Sequence, residues 1–96
     1  MTLYRRIQDT DEETFGDDLV VMNAKTQAVV TLNGTARVVW ESLAAPVTAD
    51  DLVALFVAAF PETDAAMLER DVEAALATLI EAGLVVIDGG DDDGRR

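Results

Sequence analysis

A chain of 96 residues, half of them apolar, is one domain with enough hydrophobic surface for a packed core but a thin margin of stability. Nineteen acidic residues against seven basic ones give a net charge of −12, which argues against DNA or RNA as a partner because phosphate binding needs clustered Lys and Arg. The absence of cysteine excludes disulfides and thiolate metal sites, and no apolar run approaches the ~20 residues of a membrane-spanning helix.

Leu3 to Gln8 alternates and predicts a short first strand. Asp9 to Gly16 is acidic, polar and closed by glycine, so it reads as a loop. Leu19 to Met22 is an apolar run of strand length. Asn23-Ala24-Lys25-Thr26 suits a hairpin turn, and Gln27 to Leu32 is the returning strand. In it Ala28, Val30 and Leu32 share one face, and Gln27, Val29 and Thr31 the other.

Asn33 is placed to cap a first helix, in which Ala36, Val39, Trp40 and Leu43 fall at helical spacing and which Pro46 stops. Thr48 caps a second helix with Asp51 at its third position, and Leu52, Leu55, Phe56, Ala59 and Phe60 form its apolar stripe up to Pro61. Thr63 or Asp64 caps a third helix with the stripe Leu68, Val72, Ala75, Leu76, Leu79 and Ile80, and Gly83 fits a left-handed C-cap. Leu84 to Ile87 is an apolar stub, a short strand or wing.

The predicted fold class is α+β, winged helix-turn-helix-like: a three-stranded antiparallel sheet followed by three helices. Residues 1–87 form the single domain, and residues 88–96, with DGGDDDG, form a disordered acidic tail. The start MTLYRRIQDTDEE lacks the apolar stretch of a signal peptide, so the expected location is cytoplasmic.

Chemistry is sparse. Without His or Cys the commonest general base and the softest nucleophile are missing. Ser42 and Lys25 are the only residues of their kinds, and Ser42 has no base near it in sequence. Adjacent acids such as Asp17-Asp18 and Asp50-Asp51 suit turns and caps rather than acid–base pairs. Asp91-Asp92-Asp93 lacks the spacing and closing Glu of an EF-hand loop, and no phosphate-binding glycine motif occurs. The chain reads as a binding module with no catalytic residue, metal or cofactor of its own. The third helix sets Arg70 against Glu69, Asp71, Glu73 and Glu81, which would repel a duplex despite the winged-helix order.

A strand followed by Leu32-Asn33-Gly34-Thr35-Ala36, then Trp40-Glu41, Leu43, Val47-Thr48, Asp51-Leu52, Phe60, Asp71-Val72, Leu76, Leu79 and Gly83-Leu84, resembles the PqqD-like proteins, peptide-binding domains known as RiPP recognition elements. The resemblance spans about Leu19 to Val86. It implies a three-stranded sheet packed on three helices. It also implies binding of the leader segment of a ribosomally made precursor peptide, which adds as a strand beside the third strand and lies against the third helix. The partners it implies are that leader peptide and a modifying enzyme, such as a radical-SAM enzyme or a maturation protease. Strand addition uses the backbone of an open sheet edge for affinity and side-chain pockets for selection.

Carried over by position, the binding edge is Gln27, Ala28, Val29, Val30, Thr31 and Leu32, and the groove wall is Arg70, Asp71, Ala74, Ala75 and Thr78. Asp71 is either the family's recurring acid or a solvated helix residue; Ala74 and Ala75 are either helix filler or small to admit a peptide. The turn Ala44-Ala45-Pro46 departs from the glycine-containing turn of the pyrroloquinoline-quinone chaperones, and Trp40-Glu41 looks more like the wider set of discrete recognition elements. The expected assembly is a monomer or a dimer made through strand edges. The alternative function is an acidic winged-helix protein-interaction module in transcription or complex assembly.

Overall fold

The computed structural model describes residues 2–88. Its elements are β1 (Leu3–Arg6), β2 (Thr10–Phe15), β3 (Asp18–Asn23), β4 (Val29–Leu32), α1 (Gly34–Ser42), α2 (Ala49–Ala59), α3 (Ala65–Glu81) and β5 (Val85–Asp88). The α+β class, with an antiparallel three-stranded sheet and three helices, is as expected.

The membership of that sheet differs from the expectation. The Asp9 to Gly16 stretch, expected as a loop, contains β2, and the sheet order is β2-β3-β4. The expected first strand instead pairs antiparallel with β5, Leu3 opposite Asp88 and Arg6 opposite Val85. Tyr4 also exchanges two backbone hydrogen bonds with Val47, of 2.7 and 3.1 Å. The segment after Pro46 is thereby tied to the same small sheet. β2 has no apolar alternation because one side of it is solvated and its inward Glu12 has a polar task, described below. Its partner and its turn make it a strand. Phe15 lies opposite Asp18, leaving the two-residue turn Gly16-Asp17 with glycine at φ +61°, the position where a type II′ hairpin turn demands positive φ.

β3 alternates cleanly: Leu19, Val21 and Asn23 are buried while Asp18, Val20 and Met22 are half-buried. Asn23 is the one buried polar residue of the described chain. Its Oδ1 accepts from the backbone N–H groups of Lys25 and Thr26, and its Nδ2 donates to the Gly83 carbonyl at 3.0 Å. One side chain thus shapes the β3–β4 turn and ties it to the end of α3. The turn closes with Gln27 at φ +65°, so the returning strand starts at Val29 rather than at Gln27.

Val39 and Trp40 from α1 with Leu43 at its C-cap, Leu52 and Phe56 from α2, and Leu68, Val72, Leu76 and Leu79 from α3 close the core over Leu19, Val21, Leu32, Leu84 and Val85. Each such aliphatic or Phe side chain contributes about 1.5–3 kcal/mol on burial. The expected stripe of α3 is correct, with Ile80 at its partly buried border. Of the five residues expected for α2 only Leu52 and Phe56 are buried, whereas Leu55, Ala59 and Phe60 are exposed. Thr48 caps α2 by accepting from the Asp51 N–H, and Asp64 caps α3 by accepting from the Ala66 N–H. Asn33 occupies the cap position of α1 without making a capping bond; its Nδ2 donates to Asp18 Oδ1 instead. β5 reaches Asp88, and the tail expected beyond it lies outside the described residues.

Candidate functional site

β4 is one edge of the sheet, and its register fixes which backbone groups are open. The Asn23 N–H donates to the Ala28 carbonyl at 2.9 Å, making those two a hydrogen-bonded pair. Antiparallel pairs alternate, so with Val21 opposite Val30 and Leu19 opposite Leu32, the N–H and C=O of Val30 and Leu32 point at β3. Those of Val29 and Thr31, in the intervening non-bonded pairs, point outward. Both of those residues are exposed, Val29 at 60%. Leu32 roots the strand in the core at 1% exposure, and Val30 is half-buried on the same face.

Where β4 runs into α1, Asn33, Gly34, Thr35 and Ala36 face Asp71, Ala74, Ala75 and Thr78 of α3 across a shallow groove of about 360 Å³. Gly34 takes φ +55°, which L side chains rarely adopt, at the turn from strand into helix. The four α3 residues recur at three- and four-residue steps and therefore share one flank. Ala75 is buried and forms the floor; Asp71, Ala74 and Thr78 are exposed. Short side chains at positions 74 and 75 keep the groove open.

The structure thus gathers four of the five expected wall residues. The fifth, Arg70, is exposed and does not line the groove, because one residue's offset turns it about 100° from Asp71 toward solvent. Of the six expected edge residues, Gln27 and Ala28 belong to the turn, leaving Val29 to Leu32 as the strand. Sequence reasoning missed the opposite wall, Asn33 to Ala36. The strand-to-helix junction at Asn33-Gly34 was its available signal. Half-exposed Met67 stands four residues before Asp71 on the same flank of α3.

A second cluster was missed entirely. Trp40 is fully buried and donates from Nε1 to Glu12 Oε2 at 3.1 Å. The Arg6 guanidinium lies 4.4 Å from the Trp40 ring centre and donates from Nε and Nη2 to the Trp40 carbonyl at 3.0 and 2.7 Å. Its Nη1 stands 3.6 Å from Glu12 Oε2. Arg6 thereby stacks on the indole, pairs with the acid and shares the Trp40 carbonyl, at the negative end of α1, with the Leu43 N–H. This cluster bolts β1 and β2 to α1.

Ser42 Oγ donates to the Val38 carbonyl at 2.8 Å, the role of an ordinary helix residue. Among the described residues, no group of three or more His, Cys, Asp or Glu is placed to hold a metal ion, and Asp91 to Asp93 lie outside them. No helix among the described residues is long and apolar enough to cross a membrane.

A search of curated proteins found no match to the sequence. Two solved structures share the fold. "TbiB1 in Complex with the TbiA(beta) Leader Peptide" superposes with a TM-score of 0.72 at 19% identity, covering 92% of this chain and 99% of that one. "Lasso peptide synthetase B1 complexed with the leader peptide" gives 0.70 at 20% identity, covering 86% and 96%. The model of the family "Coenzyme PQQ synthesis protein D (PqqD)" matches residues 18–85, from the first residue of β3 to the first of β5, and the chain belongs to that family.

Proposed function

We propose that this protein binds the leader segment of a ribosomally synthesised precursor peptide by strand addition to β4 and presents it to a modifying enzyme, without catalysis of its own. The observation that carries the reading is the open β4 edge, with the backbone of Val29 and Thr31 turned outward beside a groove floored by alanine. Of the two structural neighbours, one is TbiB1 in complex with a leader peptide and the other a lasso peptide synthetase B1 complexed with the leader peptide. A peptide strand would take up to four backbone hydrogen bonds from those two residues, since a strand's neighbour on one side uses every second residue. Its side chains would enter the groove, and the Asp71 carboxylate would accept from a cation or N–H of the peptide.

The receiving enzyme is of the kind the family serves, such as a radical-SAM enzyme or a maturation protease. The partner is a peptide rather than nucleic acid, given the charge of −12. Titration with a synthetic leader peptide, followed by backbone amide shifts, tests the reading. Shifts should concentrate in Val29 to Leu32, Asn33 to Ala36 and Asp71 to Thr78. Shifts confined to Val47 to Phe60 would put the groove on the wrong face, and micromolar, salt-sensitive binding of a DNA duplex would favour a transcriptional module.

A further inference from the structure

Leu52 to Phe60 reads LVALFVAAF, nine residues without a polar side chain. A helix that is apolar all round is normally buried all round. Here only Leu52 and Phe56 are buried. Val53 is half-buried, while Ala54, Leu55, Val57, Ala58, Ala59 and Phe60 are exposed, Leu55 at 54% and Phe60 at 47%. A contiguous bare apolar face on so small a domain marks an interaction surface.

This face is separate from the groove. On α3, Asp71, Ala74 and Thr78 look toward the start of α1, whereas Glu73, Ala77 and Ile80 look toward Ala49 at the start of α2 and toward Tyr4. The two flanks of α3 serve different neighbours, so a peptide on β4 leaves the outer face of α2 free.

Charge narrows what covers it. Exposed Asp50 and Asp51 stand at one end of α2, and exposed Glu62 and Asp64 follow the other. Asp50 and Asp51 suit a helix N-terminus, and Asp64 caps α3. Glu62 has neither role, since it lies beyond the C-terminal end of α2. None of the four is in an ion pair among the described residues. A second copy would set acid rim against acid rim, at −12 per chain. The segment after Asp88, GGDDDGRR, has no apolar side chain with which to fold back.

We infer that the outer face of α2 is the docking surface for the enzyme that receives the peptide, through a patch on that enzyme with an apolar centre and a Lys/Arg rim. This rests on the peptide-delivery reading above. It gives the protein two faces used at once, β4 and α3 for the leader and α2 for the enzyme.

The test measures affinity of the full chain for the purified modifying enzyme of the same biosynthetic locus, and separately for a synthetic leader peptide, in wild type, Leu55→Ser and Ala58→Arg. Both positions are exposed, and unchanged thermal melts establish that the variants are folded. Each substitution should weaken enzyme binding about thirtyfold or more, as loss of a central interface residue does. Leader affinity should be unchanged, and rising salt should weaken the wild-type enzyme complex. Normal leader binding with enzyme affinity indifferent to both substitutions, or to salt, overturns the inference and leaves the peptide reading standing. Wild-type self-association that the substitutions abolish overturns it in favour of a second copy. Absence of leader binding by the wild type defeats the peptide reading and this inference with it.

Discussion

The two edges of the β2-β3-β4 sheet are built from opposite materials. β2 presents Thr-Asp-Glu-Glu-Thr-Phe, whereas β4 presents Val-Val-Thr-Leu. Bond alternation leaves open backbone on both: Val29 and Thr31 on β4, and Glu12 and Thr14 on β2, whose intervening Asp11 and Glu13 pair with Met22 and Val20. Charged side chains are how sheet edges are protected against an added strand. The acidic edge is closed by chemistry although open by geometry, and it is further committed by Glu12 holding Trp40. The uncharged edge lies beside the groove. An edge becomes a binding site through what its side chains permit, and hydrogen-bonding capacity alone does not distinguish the two.

The largest effect should come from the bolt on the closed edge. Trp40→Ala removes a fully buried indole and should cost about 3–5 kcal/mol, a large part of a small domain's stability. A thermal melt unchanged by it would mean that the cluster joining β1, β2 and α1 does not hold the sheet. In the groove beside the open edge, Asp71→Ala should weaken leader binding by about 1.5–3 kcal/mol, roughly ten- to a hundredfold, if the carboxylate meets a leader cation. Calorimetric titration reads this, and the melting temperature should stay where it is.

Gly83→Ala probes the tether between the β3–β4 turn and α3. Gly83 takes φ +75°, and an added Cβ would lie 3.3 Å from Asn23 Nδ2. The cost from left-handed backbone alone is about 1–2 kcal/mol, measurable by chemical denaturation. Arg70→Ala should change leader affinity least, because this exposed side chain points away from the groove. A loss as large as that of Asp71→Ala would require the peptide to cross the outer face of α3.

The third helix was legible because its burial follows period: its stripe is buried as read, Asp64 is one of the two caps offered for it, and Thr48 caps the second helix as read, whereas Asn33 makes no capping bond. β2 was not legible, since a strand made by pairing and a Gly16 turn, with acids on both faces, carries no apolar alternation. The exchange of β1 from the main sheet to β5 is a long-range pairing that no local pattern encodes. Asp71, Ala74, Ala75 and Thr78 fell together because helical spacing alone places them on one flank. The same geometry leaves Arg70 outside the groove, and Gln27 lies in the turn because a turn demanding positive φ is not announced by glutamine. The Arg6–Trp40–Glu12 cluster joins residues up to 34 positions apart, beyond what spacing can show.

A matched pair of prolines tests strand addition to β4 most directly. Thr31 and Thr14 are both edge threonines whose N–H groups point outward, so proline at either removes no hydrogen bond of the ladder to β3. Leader affinity should be measured for both variants once far-ultraviolet spectra match the wild type. Thr31→Pro deletes one donor to the peptide and adds a ring in its path, which should lower affinity about tenfold or more. Thr14→Pro should bind the leader as the wild type does. Equal binding by the Thr31 variant, or a loss confined to the Thr14 variant, would contradict the account.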